Sequence, residues 1–188
     1  PDTFHFIRPD SGLIEEFPVH GVMDQRLARF LEQEAARCRD EVDQILFIEQ
    51  EFDEVVHLPA GDFKFKYKVD RVDRLRDGTI LLLDYKTGST ELMPKSLEEV
   101  EAAAADREGM AEAVRSFQLP LYFHYLHTAY PGQEIDAGLY SLRDAQIHRF
   151  IGRRTGSDRG RVDEVFLNAL NVVMKEILDP SIPFVEGE

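Results

Sequence analysis

The chain has 188 residues, an apolar share of 43% and a formal net charge of −14, from 22 basic and 36 acidic side chains. That length suffices for one domain with its own core, and no apolar run nears the roughly 20 residues of a membrane-spanning helix. The acidity argues against a general electrostatic nucleic-acid binder, and the single cysteine, Cys38, excludes an internal disulfide, a cysteine zinc site or an iron–sulfur cluster built from this chain alone.

Residues 1 to 19 read as irregular, punctuated by Pro9, Gly12 and Pro18, with no secretory signal pattern. The opening on Pro1 and the lone cysteine together set the expectation of one cytoplasmic domain over residues 1–188, an excerpt of a longer chain. From about Met23 to Val42 the spacing predicts an amphipathic helix with Leu27, Phe30, Leu31 and Ala35 on its apolar stripe. Cys38 falls within it as an inert packing residue. "QILFIEQEFDEVVHL" reads as a strand with polar interruptions. "DFKFKYKVDRVDRL" alternates, with Phe63, Phe65, Tyr67 and Val69 on one face and Lys64, Lys66 and Lys68 on the other.

Asp77-Gly78 signals a hairpin. "TILLLDYKT" follows it, apolar on both faces, and so is predicted to be central in its sheet. Residues 88 to 108 read as a loop and a solvated helix, and "GMAEAVRSFQLPLYFHYLHTAY" as one long helix kinked by Pro120, with Phe117, Leu121 and Leu126 as its core stripe. "DAGLYSLRDAQIHRFIG" supplies one or two strands and "VDEVFLNALNVVMKEIL" a closing helix. The order α-β-β-β-α-β-α predicts an α/β fold, a small mixed sheet flanked by helices.

Two charges at the end of the most apolar run need an explanation, because a buried charge is costly unless paired or bound. Asp84 and Lys86 stand two apart on one strand and project from the same face. A two-residue Asp-Gly loop would set Asp70 opposite Tyr85. A three-residue loop, Arg76-Asp77-Gly78 with Gly78 left-handed, sets Asp70 opposite Asp84. Asp70, Asp84 and Lys86 then converge, with Lys68 beside Lys86. Two carboxylates so placed repel each other unless a cation sits between them, and Lys86 or a hard divalent ion can fill that role. Asp73, on the other face from Asp70, reads as a structural partner of Arg71 or Arg74. Glu49 and Glu51 read as a solvated edge, and His124, His127 and His148 as surface or packing residues.

"KVDRVDRLRDGTILLLDYKTG" resembles the core of the PD-(D/E)XK nuclease superfamily, and specifically its RecB/AddB-type branch, with Asp-Arg-x-Asp, a turn, and Asp-Tyr-Lys-Thr-Gly in order. The branch's downstream Gln-x-x-x-Tyr helix stands here as "SFQLPLYFHYL", and relatives often read Gln-Leu-Pro-Leu-Tyr. The resemblance covers roughly residues 45 to 126. It implies a restriction-endonuclease-like core whose Asp70 and Asp84 are metal ligands, joined by the backbone carbonyl of Tyr85. It further implies that Lys86 is catalytic and that Gln118 and Tyr122 position the nucleic-acid backbone or the lysine.

The branch places a further histidine ligand on an early helix. His20 in "VHGVMDQRL" is the candidate, though no Gly-rich lead precedes it. Mg²⁺ or Mn²⁺ is the implied cofactor. DNA, as a single strand or a duplex end, is the implied substrate, and a helicase domain or subunit the implied partner, since no Gly-x-x-x-x-Gly-Lys-Ser/Thr phosphate loop occurs here. The implied activity is an exonuclease of recombination or repair. The other reading is a catalytically incomplete DNA-end-binding or protein-docking module on the same fold.

With a net charge of −14 and one short lysine strip, the isolated chain is predicted to bind DNA weakly, and more weakly as salt rises, because few phosphates can be neutralised. A salt titration of metal-free binding to a labelled oligonucleotide checks this; nanomolar affinity at physiological salt contradicts it.

Overall fold

A computed structural model describes residues 5–7, 14–16, 19–88, 92–103, 107–151 and 159–183, with side chains described from residue 24 onward except that of Arg107. Two short strands, β1 (His5–Ile7) and β2 (Ile14–Glu16), pair antiparallel, so the first residues are not uniformly irregular. Helix α1 (Val19–Asp40) follows, then β3 (Val42–Leu58), β4 (Gly61–Leu75) and β5 (Ile80–Lys86). Helices α2 (Leu97–Ala102), α3 (Arg107–Val114) and α4 (Gln118–Ala129) come next, then β6 (Ile135–Ser141), β7 (Gln146–Arg149) and α5 (Arg159–Leu178). The five-stranded sheet is ordered β3-β4-β5-β6-β7, with β5 and β6 parallel and the other neighbours antiparallel. This is the mixed sheet flanked by helices expected of the PD-(D/E)XK fold. Among the described residues no helix is long and apolar enough to cross a membrane.

β5 lies at the centre because both its faces are apolar. Ile80 and Leu82 enter the main core, with Leu119, Phe123 and Leu126 of α4 and Val165, Phe166 and Ala169 of α5. Leu81 and Leu83 face the other way, into a smaller cluster with Tyr140, packed by Phe30 and Tyr85. Helices therefore cover both sides of the sheet, α4 and α5 on one and α1 on the other.

The amphipathic stripe expected on α1 is not the one it buries. Leu27 and Leu31 are 56% and 55% exposed and Ala35 is exposed, while Phe30, Glu34, Arg37 and Cys38 turn inward. The surface they meet is charged. Asp73 of β4, fully buried, accepts from Arg71 Nε at 2.6 Å and from Arg37 Nη2 at 2.7 Å. Glu34 accepts from Arg71 Nη1 at 2.6 Å, from both Nε and Nη2 of Arg37 at 3.0 Å, and from Cys38 Sγ at 3.0 Å. The helix thus docks through a ring of two guanidiniums and two carboxylates, with the Arg37 guanidinium 5.8 Å over the Tyr140 ring. Cys38 closes this ring rather than simply filling space.

The segment read as one long helix is two. Arg115 adopts φ +57°, and α3 and α4 part across Arg115, Ser116 and Phe117. Pro120 consequently sits not in mid-helix but in the first turn of α4, where its missing N–H would have no partner in any case. The buried positions of α4 are Leu119, Pro120, Tyr122, Phe123 and Leu126. Phe117 and Leu121 are only partly buried, against Val56, Leu58 and Leu170. The helix expected in the acidic segment is present as the short α2, but it is not solvated all round, since it buries Val100.

Burial raises the Glu34 carboxyl pKa, but hydrogen bonds from Arg37 and Cys38 and the charges of Arg37 and Arg71 outweigh it, lowering the pKa from 4.5 to about 2. A carboxylate depressed in the fold stabilises it fully above its unfolded pKa, and that contribution is lost as pH falls through the folded value. Glu34→Gln should therefore lower stability by about 1–2 kcal/mol near neutrality, allowing for solvent screening. That penalty should fade between pH 4.5 and about 2. Urea denaturation of both proteins across that range measures it; a pH-independent difference contradicts the ionic origin.

Candidate functional site

The site forms where β4 leaves β5. Their ladder pairs Arg74 with Ile80, Asp73 with Leu81, Val72 with Leu82 and Arg71 with Leu83, and goes no further. The hairpin that sets this register has the three-residue loop. Leu75 N donates to Thr79 O at 2.8 Å, Gly78 N to Leu75 O at 2.9 Å, and Gly78 has φ +89°. Carried one step on, the register sets Asp70 opposite Asp84.

Beyond Arg71, β4 continues with β3 alone, through Val69–Gln50 to Gly61–Leu58. Tyr85 thereby loses a backbone acceptor for its N–H. The Asp70 carboxylate replaces it, accepting from Tyr85 N at 2.7 Å. In a strand the N–H and C=O of one residue point to the same edge, so the Tyr85 carbonyl also projects into the opening between β4 and β5.

Asp84 and Lys86 share a face of β5, as their spacing requires. Asp84 is 5% exposed, with Lys86 Nζ 2.7 Å from its Oδ2. Gln118, the first residue of α4, bridges the two: its Nε2 donates to Asp84 Oδ1 at 2.6 Å, and its Oε1 accepts from Lys86 Nζ at 3.1 Å. A single amide thus satisfies a carboxylate and an ammonium, which fixes its orientation. Tyr122, one turn on, accepts from the same amide nitrogen at 3.0 Å and donates to the carbonyl of Lys68 at 3.1 Å. Its hydroxyl is spent on β4, and burial pushes its pKa up to about 12, reinforced by the charges of Asp84 and Asp70 and opposed by Gln118.

Asp70, Asp84, Lys86, Gln118 and Tyr122 are therefore brought together. Lys68 is not: its ammonium pairs with Glu49, on the outward face of the β3–β4 hairpin, instead of joining Lys86. Lys64 and Lys66 are both met by Asp53, at 2.7 and 4.0 Å, so the basic strip seen in the sequence is neutralised across the hairpin. His20 is the second residue of α1, and its side chain lies outside the described residues. His124 is half-buried, its Nδ1 2.9 Å from Asp163 Oδ1, and ties α4 to α5. The Gln118–Asp84 bond and the turn of Tyr122 toward Lys68 were not legible in the sequence, since both depend on how α4 sits over the sheet. A groove of about 1020 Å³ lies elsewhere, where β5 and β6 begin, and includes none of these residues.

Burial raises the Asp84 carboxyl pKa; the charge of Asp70 adds to this, while Lys86 and Gln118 oppose it. Its Oδ2 is buried, with the Lys86 ammonium at 2.7 Å as its partner. Such an oxygen, with the Asp70 carboxylate opposite and the Tyr85 carbonyl between, fits a hard cation bound by one or two carboxylates and completed by water or substrate oxygens. Among the described residues no group of three or more His, Cys, Asp or Glu side chains is arranged to hold a metal ion, so the fit is to an open site and not to an all-protein cage.

A family model described as the PD-(D/E)XK nuclease superfamily matches residues 13–188. Among curated proteins, none matches the chain.

A raised carboxyl pKa means that the ionised Asp84 opposes folding above that pKa, and that the opposition disappears below the unfolded value. Asp84→Asn should therefore raise the thermal midpoint of protein held in chelator at pH 7 to 8, with the difference shrinking as pH falls toward 4. Calorimetry over that range checks it; a lower midpoint for the variant throughout contradicts it.

Proposed function

We propose that this chain, which belongs to the PD-(D/E)XK nuclease superfamily, hydrolyses phosphodiester bonds in DNA at the Asp70–Asp84–Lys86 patch. The observation that carries this is the bonded trio Asp84–Gln118–Lys86 set across the strand opening from Asp70. Asp70, Asp84 and the Tyr85 carbonyl would hold Mg²⁺ or Mn²⁺, with His20 a further candidate ligand. Such a cation supplies Lewis acidity to the phosphate and lowers the pKa of attacking water.

The chain's own residues do the rest. Lys86 holds its ammonium where charge develops on the phosphoryl oxygens as the water oxygen bonds to phosphorus and the bridging P–O bond breaks. Gln118 keeps that ammonium and the Asp84 carboxylate in fixed relation. Tyr122 pins β4 to α4 through the Lys68 carbonyl and so maintains the width of the opening. It is a positioning residue.

The finer reading is a RecB-type exonuclease module of a recombination or repair helicase–nuclease. Its support is the Asp-Arg-x-Asp, Asp-Tyr-Lys-Thr-Gly and Gln-x-x-x-Tyr set, together with the acidic surface, which suits a strand delivered by another domain or subunit. The whole described chain then acts as one nuclease domain. The incomplete, non-enzymatic module is the weaker reading, because Asp70, Asp84 and Lys86 are all present and converge.

Mg²⁺-dependent cleavage of linear DNA should fall at least about 100-fold in both Asp84→Ala and Lys86→Ala, with the fold retained by circular dichroism. Gln118→Ala should lower turnover by about 10- to 100-fold through misplacement of Lys86, with little change in KM. Covalently closed circular DNA should resist if the module is an exonuclease. Unchanged cleavage of linear DNA in either charge variant contradicts the assignment.

A further inference from the structure

The β3–β4 hairpin runs well past the sheet, and its outward face carries a pattern the proposed chemistry does not use. Lys64, Lys66 and Lys68 stand on alternate positions of β4, in steps of about 6.8 Å, all exposed. An extended nucleic-acid strand repeats its phosphates on a comparable pitch. The row ends two residues from Asp70, and the carbonyl of Lys68 is tied to Tyr122 of the site. No other described strand presents three cations in line.

Each of these lysines is met by a carboxylate of β3: Lys68 by Glu49, and Lys64 and Lys66 by Asp53. Glu49 is held unusually. It has φ +51°, a conformation disfavoured for a residue with a Cβ, and it lies between the pairs Ile48–Arg71 and Gln50–Val69, opposite Asp70. At that position both strands exchange faces, since Val69 and Val72 of β4 both reach the main core, as do Phe47 and Phe52 of β3. The exchange places the Glu49 carboxylate beside Lys68 at the edge of the strand opening. An exposed ion pair of this kind is worth only about 0–1 kcal/mol, so a phosphate can displace either carboxylate.

We propose that the outward face of the β3–β4 hairpin is a subsite for the backbone phosphates of one DNA strand entering the Asp70–Asp84 opening, with Glu49 and Asp53 holding its lysines until the strand displaces them. This rests on the nuclease reading and extends it to a strand path and an internal competitor for it. Binding is weak because the phosphates exchange with carboxylates already in place. Removing those carboxylates frees up to three lysines, each adding about 0.7 to the magnitude of the salt slope for a single strand.

The test is binding of a fluorescent 20-nucleotide single strand to the full chain in chelator, across a salt series. Glu49→Gln/Asp53→Asn should tighten binding at least 5-fold and steepen the salt slope by 1 to 2. Glu32→Gln/Glu164→Gln, a pair of exposed changes of equal charge on α1 and α5, should shift it less than 2-fold. Adding Lys64→Ala, Lys66→Ala and Lys68→Ala to the hairpin double variant should abolish the gain. The proposal is overturned if the hairpin pair binds no tighter than the control pair, or if the gain survives loss of the lysines. Because binding is read without metal, it is separate from cleavage: a gain with no Mg²⁺-dependent cleavage overturns the nuclease reading alone, and cleavage with no gain overturns the strand path alone.

Discussion

The structure depends on one parting of strands. β4 pairs with β5 as far as Arg71–Leu83 and then leaves with β3. A strand that departs abandons the donors and acceptors of its neighbour, and an unsatisfied buried N–H costs about 1–3 kcal/mol. Here the Asp70 carboxylate takes the donor that β4 gives up. That bond holds the carboxylate beside the opening the departure created. The hairpin's exchange of faces at Glu49 and Asp70 belongs to the same event. The candidate site is not appended to the sheet; it is the place where the sheet stops being one.

Two sets of buried charges flank this opening, and their difference separates scaffold from candidate site. Asp73 is closed off by two guanidiniums, and Glu34 by the same two. Both carboxylates are met by directed bonds within the protein, Arg37 Nη1 alone being left buried without one, and the ring fastens α1 to the back of β4. Asp84, one strand away, has only one ammonium and one amide, and burial still raises its pKa. Burial without full compensation is costly in the empty protein and favourable for a cation that arrives with its own charge. Gln118 and Tyr122 hold this half-satisfied arrangement from α4, through bonds to both carboxylate and lysine and to the β4 backbone.

What was legible in the sequence was whatever local chemistry decides. The alternation of Phe63 to Val69, the apolar run Ile80 to Leu83 and the Arg76-Asp77-Gly78 loop determine strand faces, sheet order and register without reference to distant residues, and so placed Asp70, Asp84 and Lys86. The face of α1 could not be read the same way. A helix that docks by salt bridges leaves Leu27 and Leu31 outside and draws Arg37 and Glu34 in, which inverts the usual apolar criterion. The break at Arg115 was hidden because helix-forming residues continue on both sides, and Pro120, taken for an interruption, is where a helix begins. The lysine strip looked free because its partners, Glu49 and Asp53, come from another strand in a register that only the folded hairpin sets.

If Asp70 and Asp84 together bind a divalent cation in the opening between β4 and β5, anomalous diffraction from a Mn²⁺-soaked crystal will locate it. A single strong peak is expected in contact with an oxygen of Asp70, an oxygen of Asp84 and the carbonyl of Tyr85, lost in Asp70→Asn/Asp84→Asn crystals soaked alike. An empty opening at saturating Mn²⁺, with Lys86 still against Asp84, rules such a site out.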